Sequence, residues 1–158
     1  LEAVGTFPTE EAKLNAALPK LKTAADTYPD SDAGITARYH LAGAYAGLGR
    51  YKEAIQTFDE VVQRAGENSL YGRMARLGKA DAQAEAGETE AAIATWKELA
   101  SAASAELPVD AILMQLARAY AVQGNTEEAR KTYTQIVDEH PESPYTPEAR
   151  EELEALKG

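Results

Sequence analysis

The eighteen residues L-A-G-A-Y-A-G-L-G-R-Y-K-E-A-I-Q-T-F, Leu41 to Phe58, return seventy-five positions later as L-A-R-A-Y-A-V-Q-G-N-T-E-E-A-R-K-T-Y, Leu116 to Tyr133. Leu, Ala, Tyr, Gly, Ala and an aromatic hold the same offsets in both. A third, worn copy lies between them. With Gly49 and Gly124 in register, the middle glycine is Gly87, at spacings of 38 and 37. Ala54, Ala92 and Ala129 follow these glycines by five residues, and Phe58, Trp96 and Tyr133 by nine. Ala42, Ala80 and Ala117 precede them by seven; Tyr45 and Tyr120 precede theirs by four, where the middle copy has Gln83. Ser31, Ser69 and Ser143 stand six residues before the Ala-Arg pairs Ala37-Arg38, Ala75-Arg76 and Ala149-Arg150, and the remaining unit, at Glu106, has Ile112-Leu113 instead. A period near 37 implies a repeat architecture, in which one unit cannot bury its apolar face alone and stacks on its neighbours.

Each unit reads as two antiparallel helices. Gly49, Gly87 and Gly124 are placed to end first helices, since a residue without Cβ takes the left-handed C′ conformation at little cost. Thr89 and Thr126 lie near the following helix starts with acidic neighbours suited to a first turn. Tyr28-Pro29 and His140-Pro141 stop second helices, because a residue before proline is pushed out of the helical region. Ala42 and Ala54 are expected on facing surfaces of one helix pair, where small side chains let the backbones approach while Leu41, Tyr45 and Phe58 fill the gap. Residues 9 to 28 read as a lone second helix that Pro19 kinks or breaks into two. Residues 146 to 157 read as a first helix without a second, rich in glutamate and suited to a solubilising cap. The total is about eight helices.

These spacings resemble the tetratricopeptide repeat, whose pattern is W-x2-L-G-x2-Y, then A-x3-F, then P. The resemblance covers residues 31 to 150. Arg38, Arg76 and Leu113 stand where the family opens with Trp, the period exceeds the usual 34, and the middle copy lacks both the Tyr and the closing Pro. The resemblance implies one all-α, right-handed solenoid over residues 1–158. It would comprise a lone N-terminal helix in 1–30, units at 31–66, 69–104 and 106–141, and a capping helix in 143–158. Units opening Y-P-D-S, as at Tyr28 to Ser31, or H-P-E-S-P-Y, as at His140 to Tyr145, are similar to those of bacterial cell-envelope members. Those members are outer-membrane assembly lipoproteins and inner-membrane-anchored proteins associated with the secretion channel. The resemblance therefore implies a periplasmic-side location, with the cytoplasm as the alternative. The chain begins at Leu1 rather than Met, as expected of an excised or processed piece whose anchor or targeting segment has been removed.

The composition excludes several functions. A net charge of −10 and a pI near 4.7 set the chain against nucleic-acid phosphates and anionic membrane surfaces. The absence of cysteine removes disulfides and thiolate chemistry. His40 and His140 are a hundred residues apart with no companion at metal-ligand spacing. No phosphate loop, nucleophile elbow or H-E-x-x-H motif is present. Glu127-Glu128 and Glu151-Glu152 are consecutive on helices and do not face each other, so they read as solvated surface and first-turn charge. Trp96 takes the repeat's aromatic packing position and reads as core. No enzyme, cofactor or metal site is expected.

What remains is a surface for a protein or peptide. The resemblance implies that first helices line a concave groove, through Thr36, Tyr39, Gly43 and Ala46 in the first unit. The second contributes Met74, Leu77, Asp81 and Ala84, and the third Ala111, Met114, Arg118 and Val122. Tyr39, Leu77 and Met114 are equivalent positions and are expected as one partly exposed apolar row. Asp81 and Arg118 form the next equivalent pair, placed to orient a polar backbone. Relatives that grip acidic chaperone tails carry Lys and Asn where this chain has Tyr39 and Gly43, so that clamp is absent. The expected role is a non-catalytic interaction module, an envelope scaffold or ancillary chaperone. The alternative is a self-assembly module forming homo-oligomers.

Overall fold

The computed structural model describes residues 7–102 and 106–157, and among them it contains eight α-helices and no strand. The helices are α1 (Glu10–Thr27), α2 (Asp32–Gly47), α3 (Tyr51–Ala65), α4 (Leu70–Glu85), α5 (Thr89–Ser101), α6 (Val109–Val122), α7 (Thr126–Glu139) and α8 (Thr146–Ala155). None of the described helices is long and apolar enough to cross a membrane. The chain forms two compact units, Leu1–Gly87 and Glu88–Gly158. In the first, α1 packs on α2, α2 on α3 and α3 on α4, and α2 also touches α4. In the second, α5 packs on α6, α6 on α7 and α7 on α8.

Helix ends follow the sequence signals. Gly49, Gly87 and Gly124 all have positive φ, between 73° and 86°. After α2, the Arg50 amide donates to the Tyr45 carbonyl at 2.9 Å and the Gly49 amide to Ala46 at 3.0 Å. After α6, the Asn125 amide donates to Tyr120 at 2.9 Å and the Gly124 amide to Ala121 at 3.0 Å, so both copies close with the same pair of bonds. Tyr28 and His140 are the C-caps ahead of their prolines. Thr89 and Thr126 are the first helical residues; the caps are Glu88 and Asn125.

Of the two outcomes expected at Pro19, the break does not occur. The helix through Pro19 is neither split nor shortened: α1 runs unbroken for eighteen residues. Pro19 is exposed, so the carbonyl that loses its amide partner can be hydrated, and packing on α2 holds both halves. Ser143 does not cap a helix as Ser31 and Ser69 do. Its hydroxyl donates to Asp110 Oδ2 at 2.6 Å, and α8 begins three residues later, after Pro144.

The six repeat alanines, Ala42, Ala54, Ala80, Ala92, Ala117 and Ala129, are completely buried, and the aromatics Phe58, Trp96 and Tyr133 are nearly so. In the first unit, Phe58 packs with Ile35, Val61 and Ala75, and burying such a ring contributes roughly 1.5–3 kcal/mol. Phe58 lies across Gly78, where an added Cβ would stand 2.4 Å from the ring. Ala129→Leu, which forces extra methylenes into a filled contact, is expected to destabilise by roughly 1–3 kcal/mol. Ala94→Leu, exposed on α5, should be nearly neutral. Urea midpoints test the pair, and an unchanged midpoint for Ala129→Leu would refute the repeat register.

Candidate interaction face

Each first helix of the first unit carries one stripe that its neighbours leave partly open. On α2, Thr36, Tyr39, Gly43 and Ala46 follow one another at three- and four-residue steps, and so do Met74, Leu77, Asp81 and Ala84 on α4. None of the eight is buried: Gly43 and Asp81 are exposed and the other six half-buried. Positions turned the other way, such as Ala42, Ala75 and Ala80, are fully enclosed. The stripe is open because packing takes the opposite side of each helix.

Tyr39 anchors the stripe. Its ring meets Phe58 and Tyr71 edge-to-face, with centroids 5.9 Å away in each case, and His40 at 5.6 Å. A 3.1 Å hydrogen bond joins Thr36 Oγ1 and the Tyr71 hydroxyl, while the Thr36 hydroxyl also donates to the Asp32 carbonyl at 2.7 Å. Burial, the Asp81 carboxylate and Tyr71 together hold the Tyr39 phenol above its ordinary pKa, so it remains neutral at physiological pH. A Cβ added at Gly43 would meet nothing within 4 Å, so the surface is open beside the ring.

The second unit departs from the expectation. Met114 is completely buried and does not join an exposed row. The reason lies in α6, where Ile112, Leu113, Met114, Leu116, Ala117 and Tyr120 are all buried. At 3.6 residues per turn those positions cover roughly 200° of the helix circumference. Arg118 is held by Glu148 of α8 at 2.7 Å, so its charge is already engaged. Ala111 is half-buried, and Val122, the last residue of α6, is 86% exposed.

Some residues that shape the first unit were given no role by the repeat pattern. Arg38, in place of the family's Trp, is buried beneath α1 and α3. Its guanidinium reaches Asp26 at 2.9 Å, Glu60 at 2.8 Å and the Ala25 carbonyl at 3.1 Å. Gly34 and Gly72 lie three residues after the capping serines. Each donates its amide to a serine Oγ at 3.0 Å, and each serine hydroxyl donates to a carbonyl at the preceding junction, Tyr28 or Gly66. The recurrence of S-x-x-G at 31–34 and 69–72 was the available signal.

Trp96 is core, as expected. Among the described residues no group of three or more His, Cys, Asp or Glu is arranged to hold a metal.

None of the curated proteins matches the sequence. Among solved structures, the chain is similar to nearly identical TPR-like repeats from a Podosopora anserina protein assigned as a kinesin light chain. Identity is 19% and the TM-score 0.75, over 93% of this chain and 79% of that one. A single-substitution variant of the same protein aligns with 20% identity and a TM-score of 0.71, over 94% and 87%. At these identities the likeness shows the fold. Three tetratricopeptide-repeat family models match residues 9–75, 73–98 and 111–143. With the helix pairs, C′ glycines and buried alanines of the repeat in place, the chain belongs to the tetratricopeptide-repeat family.

Proposed function

We propose that this protein is a non-catalytic protein–protein interaction module that holds segments of partner proteins against the α2/α4 face. The tetratricopeptide fold generally serves protein interaction, and the observation that carries the reading here is the partly open stripe. Tyr39, Met74 and Leu77 remain half-exposed on helices whose other sides are filled. A soft apolar surface with a thioether and an aromatic ring suits segments of partner protein better than a small polar ligand. The Y-P-D-S and H-P-E-S-P-Y segments support the finer reading, an envelope scaffold or ancillary chaperone on the periplasmic side.

Tyr39→Ala combined with Leu77→Ser is the test. Truncating anchors of this kind costs 1 kcal/mol or more, roughly a fivefold loss of affinity. In a pull-down from envelope extract, partners recovered by the wild type should be depleted by the double variant at equal helicity. Equal recovery of every partner would move the function off this face, and light scattering on the unmodified protein would then test self-assembly.

A further inference from the structure

We propose that α1 is a second interaction surface, one that receives an amphipathic helix of a partner protein with two acidic residues seven positions apart. The repeat register points to it. Ala17, Leu21 and Ala24 stand 37 residues before Ala54, Phe58 and Val61 of α3, and 112 before Ala129, Tyr133 and Ile136 of α7. Those six packing positions are at most 4% exposed, because each second helix is covered there by its own first helix. On α1 the same positions are open: Ala17 and Leu21 are half-buried and Ala24 is exposed. Among the described residues the helix that packs on α1 is α2, which buries Ala25 completely and leaves this stripe unfilled.

Charge selects the occupant. At about 100° per residue, Lys13 and Lys20 border the stripe on the side away from Ala25. Both are exposed, and α1 has no acidic residue between Glu11 and Asp26. In the α2/α3 pair their positions are held by Arg50 and Thr57. Arg50 stands over the Tyr45 ring at 4.8 Å, and Thr57 lines the same furrow as Arg38. A helix seated on α1 as α2 is on α3 brings its counterparts of Tyr45 and Arg38 to Lys13 and Lys20, where carboxylates are complementary. A second copy fits poorly. Its α8 has the exposed Glu154 where Ala42, Ala80 and Ala117 are enclosed, and two α1 helices would set lysine against lysine.

The test uses blocked, fluorescein-labelled peptides copying residues 31–47, read by fluorescence polarisation. They carry Arg38→Glu/Tyr45→Glu, Arg38→Gln/Tyr45→Gln or Arg38→Lys/Tyr45→Lys. The glutamate peptide should bind roughly threefold or more tightly than the glutamine peptide, and the lysine peptide most weakly. In the protein, Lys13→Gln/Lys20→Gln should abolish that order. Ala24→Gln, which adds bulk at an exposed position, should weaken all three peptides roughly tenfold, while Ala94→Gln on α5 should weaken none. Tyr39→Ala with Leu77→Ser should leave the series unchanged, which separates this surface from the α2/α4 face. Equal binding of the three peptides, undiminished binding by Ala24→Gln, or no binding to the unmodified protein overturns the inference. Binding lost in the Tyr39/Leu77 variant overturns it too, by placing the peptide on the α2/α4 face. So does self-association in sedimentation velocity that Ala24→Gln abolishes, because a second copy is then the occupant.

Discussion

The double variant Asp26→Ser/Glu60→Gln is expected to lose about 3 kcal/mol of folding stability, and adding Arg38→Leu is expected to restore most of it. The Arg38 side chain is 7% exposed, whereas those of Asp26 and Glu60 are 53% and 38% exposed. Removing both carboxylates leaves a buried guanidinium whose one remaining partner is the Ala25 carbonyl. Breaking a buried pair from one side typically costs 3–5 kcal/mol; the low end applies because both carboxylates face water in part. Replacing the whole group with an apolar residue removes the stranded charge, and such replacements are often neutral. The chain carries this exchange already. Seventy-five residues on, the positions of Asp26, Arg38 and Glu60 hold Ser101, Leu113 and Gln135, and Leu113 is buried. Arg38 alone→Leu should cost less, about 1 kcal/mol, because the two carboxylates can rehydrate. What it leaves unmet is Ala25, whose helical donor would be the amide of residue 29, and that residue is proline. Urea denaturation of the three variants decides the matter. A double variant as stable as wild type, or a triple variant no better than the double, would refute the clasp.

Gly72→Ala should destabilise by about 2 kcal/mol or more, although alanine is the better helix former. A Cβ at this position would stand 1.8 Å from the Gly66 carbonyl oxygen and 2.9 Å from its carbon. Gly34→Ala meets the Tyr28 carbonyl oxygen at 2.0 Å in the same way. Both obstacles are backbone, so the junction between helices must open, and overpacking of this kind typically costs 1–3 kcal/mol. The junction carbonyl also accepts the amide of the capping serine, at 3.1 Å for Ser31 and 3.2 Å for Ser69, so displacement weakens the cap. Gly43→Ala is the contrast, lying within α2 with open space around it. There the propensity gain, up to about 1 kcal/mol, should appear unopposed. If thermal melts rank Gly72→Ala at or above wild type, the close approach is not a constraint.

The local rules were sufficient wherever one residue decides one conformation. Gly49, Gly87 and Gly124 end helices because a C′ position needs positive φ, and Pro29 and Pro141 stop them because the residue before proline leaves the helical region. The repeat period located all six buried alanines and the three core aromatics, since equivalent positions in stacked units meet equivalent neighbours. Pro19 shows where such a rule yields: its cost is local, and packing along α1 outweighs it.

Exposure was decided by tertiary structure alone. Tyr39, Leu77 and Met114 are equivalent in the repeat, yet the first two remain half-exposed while Met114 is enclosed, because α6 is covered around more of its circumference than one stripe. Arg118, which shares its register with Asp81, is held by Glu148 of α8. The Arg38 clasp joins residues from three helices, twelve and twenty-two positions apart, at distances that no periodicity encodes. The sequence by itself therefore determined which residues turn inward, through period and local backbone preference. Which of the outward ones stay open to a partner was decided only when the neighbouring helices were in place, because burial is a property of what packs against a residue.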